Sequence, residues 1–398
     1  MELKYILHMH YIDIKRGGLK MAIQVFVPSF DVEECLKEVR ICLEKGWTGM
    51  GFKTVEFEED WKKYTGLDNA YYLNSATAAL NLAVEVLKIQ NNWNNDDEII
   101  TTPLTFISTN HAILLNNMKA VFADVDDTLC LNPKSVESRI TDKTKAVIFV
   151  GLGGNAGHLD EVIKICKRHN LKLILDAAHM SGTRVNGEIA GKEADVICYS
   201  YQAVKNLPTG DSGMVCFKDK VNDALVRKIA WLGINKDTYA RTINSNGSYK
   251  WKYDVEYVGN KYNGNAIMAA IGIAQLKHLD RDNAYRRQLA NWYRKGFEKY
   301  LDKIKLVNIP TNCESSCHLF QILVDNRDEL ITFLNNKEIY PGVHYIVNTE
   351  YRMYSYAKGT CPNADYASEH ILSLPMHMRL TYEDVQLIIK YIVEFISK

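Results

Sequence analysis

A lysine, an aspartate and a group of small hydroxyl residues stand out because each follows an apolar run that ends abruptly. Asp176 closes the strand-like part of Leu173-Ile-Leu-Asp-Ala-Ala-His179. A carboxylate at the end of a buried strand is costly unless something pairs with it. The protonated nitrogen of a flat heteroaromatic ring would pair with it and keep that ring an electron sink. A helix cap is the plain alternative. Lys205 ends Ile197-Cys-Tyr-Ser-Tyr-Gln-Ala-Val-Lys205, follows Ser200 by five residues, and leads into Pro208-Thr-Gly-Asp-Ser-Gly213. A lysine amine condenses with aldehydes, and a buried or charged setting keeps it reactive. Taken singly, a solvated loop lysine is the simpler reading.

Two further stretches complete the set. Asn74-Ser-Ala-Thr-Ala-Ala-Leu80 puts small residues at a loop-to-helix junction. Free N–H groups and the positive end of the helix dipole suit a phosphate there, with Ser75 and Thr77 as extra donors. An ordinary Ser or Thr cap looks the same. Thr102-Pro-Leu-Thr-Phe106 puts Phe106 where it could stack on a ring, although an aromatic there is commonly core. Helix start, aromatic, carboxylate and lysine come in order, each at the end of an element. Together they suit pyridoxal phosphate, which offers a phosphate, a flat ring, a ring nitrogen and an aldehyde.

The elements that must position these residues can be read from periodicity. Val32, Leu36, Val39 and Leu43 recur at helical spacing within 31–45, and further helices are expected at 55–64, 75–87, 107–116 and 159–169. Short β-rich runs lie at 98–102, 120–125, 146–150, 172–176, 196–200 and 213–217. Apolar strands alternating with helices indicate an α/β fold with a mostly parallel sheet covered on both faces. Ligands bind such sheets at the carboxyl ends of the strands. After about Gly264 the texture changes to long helices at 266–279 and 280–300. Strands are expected at 320–324 and 342–346 around a helix at 328–335, and a last helix at 382–396. The expected organisation is a large domain over 21–264 and a smaller C-terminal α+β domain over 265–398.

Composition narrows the function classes. The 398 residues are 47% hydrophobic and 24% charged, with 48 Lys+Arg balancing 48 Asp+Glu. Zero net charge and the lack of a long basic run argue against nucleic acid. No apolar run approaches membrane length, and nine cysteines in mostly apolar stretches suggest reduced thiols in a cytoplasmic protein. Cys313 and Cys317 lack a second ligand pair with zinc-site spacing, so no metal is expected. Residues 1–20 lack the apolar core of a signal peptide and read as a flexible extension ahead of Met21. His8 and His10 within it could bind metal, but a tail is the simpler reading.

The chain resembles the DegT/StrS-type sugar aminotransferases of the aspartate-aminotransferase superfamily, fold type I. The resemblance runs from about Ile23 to Lys398. It rests on Trp47-Thr-Gly49, the Asn74–Leu80 and Thr102–Phe106 stretches, Asp176-Ala-Ala-His179, Ser200 with Lys205, and Gly259-Asn-Lys-Tyr-Asn263 before Ala269-Ala-Ile-Gly272. Pro375 and the closing helix fit the family's C-terminal end. The resemblance implies that Lys205 binds the aldehyde and shuttles the proton, that Asp176 holds the ring nitrogen, and that His179 lies near the ring hydroxyl. It assigns Ser75, Ala76, Thr77 and Ser200 to the phosphate and Phe106 to the ring face. Lys261 falls where the family reaches the neighbouring subunit's phosphate, which implies a homodimer with shared active sites. His344 and Tyr345 fall on the substrate side.

The implied reaction moves an amino group from glutamate to a nucleotide-linked keto sugar. A 4-keto-6-deoxy sugar, giving a 4-amino-4,6-dideoxy product, is the expected acceptor. A 3-keto sugar, a sugar dehydratase and a non-catalytic binding protein are the rivals. A family dehydratase carries His in place of the lysine, so Lys205 argues against that reading. The sequence departs from the family at Gly210-Asp-Ser-Gly213, at Gly151 where a His is frequent, and at Val347-Asn-Thr349 in place of Pro-Leu-His. These departures bear on the substrate and leave the cofactor side intact.

Overall fold

The computed structural model describes residues 22–235 and 253–398. The expected extension over 1–20, with His8 and His10, lies outside the described residues. A seven-stranded sheet forms the centre, in the order Tyr71–Leu73, Gly213–Phe217, Val196–Ser200, Lys172–Asp176, Thr144–Val150, Glu98–Thr101 and Lys119–Phe122. All strands run parallel except Gly213–Phe217, which is antiparallel to both neighbours.

Alternate side chains of these strands enter two separate cores. Ile148, Ile174, Cys198 and Val215 face one, while Val147, Leu173, Leu175, Ile197 and Met214 face the other. Burial on both faces is why the strands read as continuous apolar runs. The short strand Tyr71–Leu73 gives no such signal, having three residues before the polar Asn74.

A second unit holds the antiparallel strands Ile304–Leu306, Phe320–Val324 and Ile371–Leu374. They share a core with the helices Leu279–Phe297, Arg327–Asn335 and Tyr382–Ile396. Two segments cross the division expected at 264. Ala266–Leu276 packs on the helices Val32–Glu44 and Phe52–Thr65 of the large unit. Ile23–Gln24 pairs in parallel with Ile339–Tyr340, and Ile23 is buried in the smaller core. Phe26 then returns toward the large sheet, so the segment from Ile23 to Phe26 straps the two units together.

Gly342–Ile346 is not the expected strand. Its ladder stops at one bridge, Gly342 to Ser373. The residues that follow dock elsewhere: the Asn348 backbone N–H donates to Pro103 O at 2.8 Å and its side-chain amide to Thr105 O at 2.9 Å. Asn110 Nδ2 in turn donates to Asn348 Oδ1 at 2.7 Å. These bonds draw the segment off the small sheet and against the large one.

Candidate active site

The carboxyl ends of the parallel strands open into a cavity of about 450 Å³. Ser75, Ala76, Thr77, Phe106, Asp176, His179, Ser200, Lys205, His344 and Tyr345 all line it. Lys261 does not. Its ammonium lies 3.6 Å from the centre of the Trp231 ring and donates to Asn263 Oδ1 at 2.8 Å.

Each lining residue is held by its own element. Ser75 caps the helix Ala76–Gln90, its Oγ accepting from Ala78 N–H at 3.1 Å. The Ala76 and Thr77 amides have no partner inside the helix, as at any helix start. Gly213 brings its strand against this turn. A Cβ there would sit 2.5 Å from the Ser75 carbonyl carbon and 2.6 Å from Ala76 N. The close approach leaves a cradle of backbone N–H groups open to an anion.

Asp176 is buried at the end of its strand. Thr109 Oγ1 donates to Oδ2 at 2.7 Å and Ala178 N–H to Oδ1 at 3.1 Å. Burial pushes the carboxyl up, and the Thr109 and Ala178 bonds and the Lys205 charge oppose that. Lys205 sits in a loop stitched to itself by Tyr201 N–H to Ser212 O, Ala203 N–H to Gly210 O and Thr209 N–H to Tyr201 O. Burial pulls its amine down to about 8, against the pull of Asp176. An amine in that range is partly neutral near physiological pH, as a nucleophile or proton carrier must be.

The cavity's other wall is neutral and aromatic. His179 Nδ1 accepts from Gly153 N–H at 3.2 Å, so Nε2 carries the proton toward the Tyr345 hydroxyl 3.3 Å away. Burial, then the charge of Lys205, holds His179 well below its ordinary range. His344 contacts Ser373 Oγ through Nδ1 at 2.9 Å, and burial takes it down to about 4. Phe106, 57% exposed, leans over Tyr345 with ring centres 5.9 Å apart. It is the open lip of the cavity and not part of a core.

Sequence reasoning missed Phe26, Gln202, His318 and the Thr109 donor. Of these, only Gln202 carried a nearby signal, its place between Ser200 and Lys205. The departures resolve unequally. Gly151 lines the cavity, and a Cβ there would lie 1.9 Å from Met180 Sδ, so Met180 fills the room a side chain would need. Asn348 is spent on the scaffold bonds described above and is 1% exposed.

The residues present fit pyridoxal phosphate: an anion cradle, a buried carboxylate with a tunable proton, and a partly neutral lysine share one cavity. The sequence matches the DegT/DnrJ/EryC1/StrS aminotransferase family over residues 30–393. Spore coat polysaccharide biosynthesis protein SpsC of Bacillus subtilis is 33% identical over 92% of this chain and 95% of its own length. The UDP-4-amino-4,6-dideoxy-N-acetyl-beta-L-altrosamine transaminase of Campylobacter jejuni is 32% identical, over 85% of this chain and 88% of its own. The crystal structure of the aminotransferase TlmJ from Streptoalloteichus hindustanus superposes with a TM-score of 0.86 at 28% identity, covering 94% of this chain and 99% of that one. A sugar aminotransferase from Streptococcus pneumoniae described as putative, in its PLP-form, gives 0.82 at 27% identity, over 94% and 98% of the two chains. Aminotransferases of this family depend on pyridoxal phosphate, and the fold is that of fold type I. The chain is an aminotransferase and belongs to the DegT/DnrJ/EryC1/StrS family.

Proposed function

We propose that this cavity binds pyridoxal phosphate and moves an amino group from glutamate to a nucleotide-linked 4-keto-6-deoxy sugar, giving a 4-amino-4,6-dideoxy sugar. The reading is carried by Lys205, its amine brought to about 8, sharing a cavity with buried Asp176 and the Ser75–Thr77 helix start. The names of the Campylobacter and Bacillus relatives, a sugar-nucleotide transaminase and a polysaccharide biosynthesis protein, favour the sugar class.

When bound, the cofactor supplies an aldehyde for the amino group and a protonated ring that takes up electron density. Ser75, Ala76, Thr77 and Ser200 hold its phosphate, and Phe106 covers the ring. Asp176 pairs with the ring nitrogen, with Thr109 and the Ala178 N–H fixing the carboxylate's direction. Lys205 would move a proton between the substrate carbon and the cofactor carbon, a role that needs an amine neutral for part of the time. His179 stays neutral and holds the Tyr345 hydroxyl. His344 and Tyr345 border the sugar. Lys261, turned away from its own cavity, serves the site of a second copy in a homodimer.

Borohydride reduction in the presence of pyridoxal phosphate should fix the label on the Lys205 peptide, and Lys205→Ala should abolish it. Label retained by the variant overturns the cofactor assignment. Glutamate with a panel of dTDP-, UDP- and GDP-linked keto sugars, read by mass spectrometry, tests the acceptor. Amination of free ketones only would overturn the nucleotide-sugar part.

A further inference from the structure

His318 lines the cavity at 1% exposure with nearly all of its ring spoken for. Phe26 stacks on it, centres 5.2 Å apart and planes 9° from parallel, and His179 packs at 4.4 Å. Its Nδ1 lies 2.9 Å from Asn206 Oδ1. The orientation of that amide is set by a chain of bonds ending on backbone carbonyls. Asn206 Nδ2 donates to Ser316 O at 2.8 Å and to Asn283 Oδ1 at 2.7 Å, and Asn283 Nδ2 donates to Ser181 O at 2.9 Å.

Carbonyl oxygens only accept, so both amides can face one way alone. Asn206 Oδ1 must then accept from His318, which puts the ring proton on Nδ1 and leaves a bare lone pair on Nε2. No described residue bonds that nitrogen, and the ring that carries it lines the cavity. Burial and the charges of Lys205 and Arg286, with His179 and His344 alongside, keep the ring from taking a second proton.

We propose that His318 is a substrate-binding residue: its Nε2 accepts a hydrogen bond from an N–H or O–H of the bound amino donor or sugar. The proposal rests on the aminotransferase reading of the same cavity. Glutamate arrives as an ammonium with three donors, and a sugar offers hydroxyls. Both need an acceptor that cannot turn into a donor, and this tautomer is one.

His318→Phe keeps the ring stack and removes the acceptor, whereas His318→Gln offers an amide oxygen near the place of Nε2. With cofactor content unchanged, His318→Phe should raise one KM roughly tenfold, the loss of a single hydrogen bond, and His318→Gln should recover most of it. A rise for glutamate assigns the ammonium, and a rise for the sugar turned over in the panel assigns a hydroxyl. Both KM values unchanged, or a joint loss of cofactor and thermal midpoint without a specific KM effect, overturns the proposal. Nitrogen NMR of the cofactor-free wild-type protein with labelled histidine gives a readout independent of turnover and of the variant's folding. The proton should sit on Nδ1 of His318, and a proton on Nε2 rejects the proposal. If no nucleotide sugar is aminated, the functional reading fails while the tautomer result stands on its own.

Discussion

Lys205 shows how a cavity shifts an ordinary lysine toward its neutral form. Burial lowers its amine from 10.5 to about 8. Between those values the unfolded chain keeps the proton and the folded protein releases it, so stability rises with pH across that window. Below about 8 both states are protonated and the whole cost of burying the ammonium is present. Lys205→Met should therefore stabilise the cofactor-free protein at about pH 7 by roughly 2–3 kcal/mol, and the gain should shrink toward pH 10.5. Denaturant midpoints of the two proteins at about pH 7 and pH 10 check this. A variant no more stable than the wild type at neutral pH removes burial as the source of the lowered amine. Asp176 follows the same logic with the opposite direction of shift: burial raises its carboxyl toward the neutral form, and a cationic partner at the ring nitrogen would restore its charge.

At the scale of elements, the site depends on how closely one strand approaches one helix start. Gly213 faces the Ser75–Ala76 peptide with no room for a Cβ. Gly213→Ala should part strand and helix, costing about 1–3 kcal/mol of stability as overpacking does. It should also weaken pyridoxal phosphate binding by tenfold or more, measured by spectroscopic titration. Unchanged affinity would show that the cradle tolerates a shifted strand. The helix start itself was legible, because Ser75 before a run of alanines carries both cap and helix signals. The Gly342–Ile346 stretch reads as a strand in the sequence because Val343, Tyr345 and Ile346 are strand-favouring residues. Its conformation follows from Asn348 docking on Pro103 and Thr105, contacts about 240 residues apart in sequence.

At the scale of the molecule, the cavity lies where the small unit meets the strand ends of the large one. Ser75, Asp176, Ser200 and Lys205 come from the large unit, whereas His318, His344 and Tyr345 come from the small one. Phe26 reaches the same place along the strap that begins at Ile23. Lys261 points away from this arrangement, and the proposed homodimer gives it a destination in the other copy's site. Mixing Lys205→Ala with Lys261→Ala protein should then restore activity that neither has alone, because one hybrid site regains both lysines. A mixture no more active than its parts would remove the shared site. Among the described residues no helix is long and apolar enough to cross a membrane.

The sequence alone determined the sheet and the polar residues at the ends of its elements. Strands buried on both faces leave long apolar runs, and Asp176, Ser200 and the Ser75 turn stand where such runs or their loops end, a position local patterning records. The tertiary structure alone decided how the cavity's aromatic wall is arranged. The proton positions of His179 and His318 depend on Gly153 and Asn206, the room at Gly151 on Met180, and the posture of Tyr345 on His179. Each is a contact between residues distant in sequence, where periodicity carries no information and only packing fixes which polar atom faces which.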